Sequence, residues 1–109
     1  MKSSELEPQA KRALDFLYEK AGEHAQARAN AEYMDSWVKV ELQRLKGLMV
    51  GMSDAAATSE GMRHPEYAEA LEALKTANEV WFTAQFKREA ANAVIGAWQT
   101  CGANERRLP

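Results

Sequence analysis

The residues whose types and spacing could carry chemistry in this chain are few: Cys101, His24, and the pair Glu60 and His64. A nucleophilic thiol needs a base beside it, so a catalytic Cys101 would require a neighbouring histidine. Glu60 and His64 stand at i and i+4, the spacing of a helical metal pair, but Pro65 follows directly and the pair falls in a connector, which argues against a metal site. His24 lies on an apolar helical face and reads as a core or edge residue. The chain has no glycine-rich phosphate loop, no His-Glu-x-x-His and no Gly-x-Ser-x-Gly. The expectation is a protein that is not an enzyme, with no cofactor, no metal and no small-molecule substrate. The lone cysteine excludes an internal disulfide and a four-cysteine metal site, and fits a reducing cytoplasm.

Aromatic side chains are the other chemically distinctive set. Trp81, Phe82 and Phe86 cluster, Trp98 follows, and Phe16, Tyr18, Tyr33 and Trp37 lie earlier in the chain. Adjacent Trp81 and Phe82 point about 100° apart on a helix, so one narrow seam cannot take both. Tryptophan, tyrosine and arginine dominate binding hot spots. Trp81, Phe82, Phe86, Trp98, Trp37 and Arg88 are therefore the expected partner-binding residues. Asn78, Gln85 and Asn92 recur every seven residues with Arg88 between them, and His24 and Arg28 interrupt the apolar face of the earlier helix. Such positions either set register within a bundle or offer a polar surface to another chain.

The elements that position these residues are helices. Pro8 reads as a first helical position, and Ala10, Leu14, Leu17, Ala21, His24, Ala31, Met34, Val38, Leu42, Leu45 and Met49 then step by three and four. The spacing predicts a helix over about 8–50, with Gly22 and Gly47 as weak points inside it. Some forty helical residues would reach roughly 60 Å. Ser53 caps a short connector helix within about 53–63. His64-Pro65-Glu66 opens a second long helix over about 65–101, whose seam is Leu71, Leu74, Ala77, Trp81, Ala84, Ala91, Ile95 and Trp98, and which ends at Gly102 before a flexible tail over 102–109. The expected fold is all-α: a single domain over 1–109, built as a long antiparallel helical hairpin of coiled-coil type with a short helical connector, forming a dimer.

Composition limits the partners. At 109 residues the core is thin, and the apolar fraction of 46% is rich in alanine while only 8% of residues are aromatic. Fourteen basic and sixteen acidic residues leave a formal charge of −2, which indicates neither a histone-like DNA binder nor an acidic DNA mimic. No apolar run approaches the roughly 18 residues needed to cross a bilayer, and the first residues lack the apolar core of a secretory signal, so no membrane role is expected. For nucleic acid the candidates are Lys11, Arg12, Arg106 and Arg107, which an antiparallel hairpin brings to one end, with Lys39, Arg44, Lys46, Lys87 and Arg88 elsewhere. Acidic residues are interspersed among them, the usual composition of a solvated face.

Several stretches give the chain a likeness. Ala31-Glu32-Tyr33-Met34, Lys39 and Glu41-Leu42, then His64-Pro65-Glu66-Tyr67, then Trp98-Gln99-Thr100 and Ala103-Asn104-Glu105-Arg106-Arg107 together resemble small helical phage-encoded proteins of the early or recombination region of tailed-phage genomes. Trp81-Phe82 and Cys101-Gly102 depart from the more charged pattern of that group. The group has no catalytic assignment, so the resemblance implies a setting: the cytoplasm of an infected bacterial host. The function expected from it is binding that modulates or inhibits a protein of DNA recombination, repair or host defence, or alternatively direct DNA binding. A secreted helical hairpin of the WXG type matches in length, but its turn motif is missing between Val50 and Pro65.

Overall fold

The structure, a computed structural model, describes residues 2–107 and is all-helical among them: α1 (Ser3–Gly47), α2 (Asp54–Arg63) and α3 (Pro65–Arg107). The two long helices pack against each other, joined by the short one, in a helical hairpin. The contacts divide the chain into two compact units, 1–25 with 82–109 and 26–81. In the first unit Ser3, at the start of α1, bonds Glu105, near the end of α3; in the second Arg44, near the end of α1, bonds Glu66, in the first turn of α3. Both pairings are antiparallel.

Three helix ends differ from expectation. α1 begins at Ser3, so Pro8 lies inside the helix. A proline there removes one intrahelical bond and clashes with the preceding turn, and the Glu105 carboxylate offsets this by accepting the Ser3 N–H and hydroxyl at the helix start. α1 ends at Gly47, three residues early, with Leu48 and Met49 closing single turns onto Leu45 and Lys46 and Gly51 taking a left-handed φ of 84°. α3 runs through Gly102 to Arg107, so residues 102–107 of the expected tail are helical. Gly102 does not stop the helix, and a β-carbon built on it would stand 3.9 Å from Ser3 Cβ and 3.5 Å from the Arg106 guanidinium. Leu108 and Pro109 lie outside the described residues.

α2 has the Ser53 cap, whose hydroxyl accepts the Ala56 N–H at 3.2 Å. His64 separates α2 from α3 and caps the latter. Its carbonyl accepts Tyr67 N–H at 3.0 Å, and its Nδ1 accepts Glu66 N–H at 3.2 Å. Two of the orphan donors at the start of a long helix are thereby satisfied.

The seam of α1 alternates threes and fours without a break: Ala10, Ala13, Leu17, Lys20, His24, Ala27, Ala31, Met34, Val38, Glu41 and Leu45 are all buried or half-buried. That is coiled-coil spacing. On α3 the matching set is Tyr67, Ala70, Leu74, Ala77, Trp81, Ala84, Ala91, Ile95, Trp98 and Gly102, broken by exposed Arg88. Leu14, Ala21 and Leu71, expected on the seam, are exposed, and their places are taken by Ala13, Lys20 and Ala70. Small residues occupy the contact because they let the two backbones approach closely. Among the described residues nine of the eleven buried apolar residues are alanines, and the only large side chain that is fully buried is Leu45. Close approach recurs where α2 meets α1: a β-carbon on buried Gly61 would stand 2.9 Å from Leu42 Cδ1.

Candidate protein-interaction surface

The first unit holds the start of α1 and the second half of α3. Glu105 joins them, accepting the Ser3 N–H at 2.6 Å and also the Ser3 hydroxyl. Donation from the hydroxyl first, and from the N–H second, holds the Glu105 carboxyl below its ordinary value of 4.5. A depressed carboxyl strengthens the contact above the ordinary value, and the contribution disappears as pH falls through the lowered one. The Ser3 amide resonance is therefore expected to titrate with a midpoint below 4.5, and Glu105→Gln to abolish that titration; a midpoint at or above the ordinary value would show that the clamp does not form.

His24 is buried, its ring meeting Phe16 edge-on at 5.6 Å between centroids. On α3 of this unit Phe82 and Phe86 stand one turn apart, 51% and 69% exposed. Trp98 is half-buried on the seam and Arg88 is exposed. Of the polar ladder, Gln85 is half-buried and Asn92 exposed.

Trp81 and Trp37 belong to the second unit. Trp81 is half-buried on the seam, as is Asn78 beside it, and Trp37 is 41% exposed. Phe82 and Phe86 form one exposed pair, Trp37 stands in another unit, and Trp81 and Trp98 contribute mainly to the seam.

Around Trp37 the structure holds an arrangement that sequence reasoning missed. Glu41 occupies a seam position and is 6% exposed. Arg44, one turn on, donates to it from Nε at 2.6 Å and reaches across to Glu66 of α3. The hydrogen bond to Glu41 first, then the field of both carboxylates, raises the Arg44 guanidinium further above its ordinary range. Beside this knot an open groove of about 470 Å³ is lined by Trp37, Glu41, Glu66, Glu69, Ala70 and Ala73. The signal in the sequence was a glutamate at a seam position with an arginine three residues on.

The expected nucleic-acid residues are scattered or neutralised. Lys11 pairs with Glu7 at 3.5 Å, while Arg12, Arg106 and Arg107 are exposed. Lys11 and Arg12 lie eight and nine residues beyond Ser3, roughly 12 Å further along the helix, so these two do not form one patch with Arg106 and Arg107. Lys39 pairs with Asp35 at 3.4 Å and Lys46 with Asp54 at 2.8 Å. Glu60 is held by Arg63 at 3.1 Å and His64 by its capping bond, and among the described residues no group of three or more His, Cys, Asp or Glu side chains is placed to hold a metal ion. No described helix is long and apolar enough to cross a membrane. No family model matches the chain, and no curated protein or solved structure matches it.

Proposed function

We propose that this chain is a non-enzymatic accessory protein of a phage, acting in the cytoplasm of the infected bacterium. It works by binding: the hairpin self-associates and presents aromatic side chains to a protein of DNA recombination, repair or host defence, whose action it modulates or inhibits. The observation that carries the reading is the exposed pair Phe82 and Phe86, one turn apart on α3. Large aromatic rings left in water cost free energy that a partner's surface recovers, and such rings act as anchors at protein interfaces. The phage setting rests on the resemblance of the Ala31–Leu42, His64–Tyr67 and Trp98–Arg107 stretches. Direct DNA binding is the weaker reading, since Lys11, Lys39, Arg44 and Lys46 each have a carboxylate partner.

A photo-crosslinking residue at position 86, introduced into the full chain in bacterial cells, tests this reading. The expected result is a discrete adduct with one protein of the recombination, repair or defence class, absent when the probe is moved to exposed Glu19. Only diffuse labelling, equal at both positions, would contradict it.

A further inference from the structure

We infer that a second copy of this chain docks on one side of the 26–81 unit, where Trp37 of each copy seats in the groove floored by Ala70 and Ala73 of the other. The inference rests on the self-association proposed above and names its surface. Its first ground is that α1 carries two stripes in this unit. One is the seam to α3. The other is Tyr33, Trp37 and Val40, spaced four and three, all exposed and holding no charge. That is the pattern of a second helix contact.

The opposite flank of α1 is different. There Arg28 bonds Glu32 and Lys39 bonds Asp35, each one turn apart, which is how a solvated face is finished. The Tyr33, Trp37 and Val40 stripe has no such pairs. On α3 the row that continues the groove through Ala73 reaches Val80, seven residues on and also exposed. An apolar knob and a groove lined by Ala70 and Ala73 together with Glu41, Glu66 and Glu69 thus stand on the same side of one unit. This is what a two-fold contact requires, because residue i of each copy must meet residue j of the other.

The occupant follows from the core. Among the described residues, the buried apolar side chains of this unit are five alanines with Val38 and Leu45. Helical pairs with so little buried surface need a further layer. A second copy is the one partner present wherever the chain is made. Each aromatic ring carries about 150–250 Å², so the exposed parts of Tyr33 and Trp37 offer roughly 100 Å² apiece. With Val40, Val80 and the groove floor one copy presents roughly 400–500 Å², and two copies with a polar rim reach the lower range of specific interfaces, about 1,200 Å².

The test uses the wild-type chain first. Light scattering over a dilution series, with hydroxyl-radical footprinting at each concentration, is expected to show a dimer in which Tyr33 and Trp37 are protected and become reactive on dilution, while Phe82 and Phe86 stay reactive throughout. Trp37→Glu is expected to raise the dissociation constant about 30-fold or more, the loss of one hot spot, and Phe86→Glu to leave it unchanged. A dimer with Tyr33 and Trp37 fully reactive would overturn this face and leave self-association standing. A monomer at every concentration would overturn both, without bearing on the partner adduct at position 86. Footprinting of the wild type gives its answer even if the Trp37 variant fails to fold.

Discussion

Replacing Leu45 with alanine is expected to lower the unfolding free energy by about 3–5 kcal/mol, the largest effect of any single truncation in this chain. Leu45 is 1% exposed and, among the described residues, is the only large side chain fully withdrawn from water. It lies where α1 meets α2: a β-carbon built on Gly61 would stand 3.8 Å from Leu45 Cβ. The cost of a large-to-small change combines lost transfer free energy with the cavity left behind, and the cavity part depends on whether neighbours can collapse into it. Here the preceding seam positions on α1 are Val38 and Glu41, and Gly61 of α2 has no side chain with which to fill the hole. Urea unfolding followed by circular dichroism measures the effect, with Leu48→Ala as control, because Leu48 is exposed and its loss should change little. A Leu45→Ala loss below about 1 kcal/mol would show that burial at this point does not hold the hairpin.

The second large effect is expected at Arg44. Its side chain is half-exposed, but the Glu41 carboxylate it satisfies is buried, and Arg44 also reaches Glu66 at the start of α3. Arg44→Ala leaves a buried carboxylate without its partner and is expected to lower the urea midpoint clearly. The companion change gives the diagnostic result. Glu41→Leu removes the buried charge, so Arg44→Ala on that background should shift the midpoint much less than it does in the wild-type chain. Equal costs on both backgrounds would mean that Arg44 acts through Glu66 alone.

Sequence periodicity revealed the helices, the Ser53 cap and the His64-Pro65-Glu66 start, because proline position, capping chemistry and three-four spacing are local. The depth of the seam was less legible. Leucines look like core, so Leu14 and Leu71 were expected inside, yet Ala13 and Ala70 hold those places. Which of two neighbouring apolar positions is buried depends on how closely the helices approach, and that is a property of the pair. Helix ends were misjudged for the same reason. Pro8 and Gly102 are local stop signals, and the Ser3–Glu105 clamp that outweighs them joins residues at opposite ends of the chain. The Trp81 and Phe82 argument identified an unpartnered ring, and Phe82 is the more exposed of the two. The groove beside Trp37 was out of reach, since it needs Glu66, Glu69, Ala70 and Ala73 of α3 placed against α1.

We propose that this hairpin is an interaction module whose alanine seam takes a further neighbour. Thermal unfolding of the purified chain at two concentrations a hundredfold apart tests it most directly. Association that accompanies folding makes the midpoint depend on concentration. A midpoint several degrees higher in the concentrated sample is the predicted result, and identical midpoints with a monomeric mass in both samples would contradict the account.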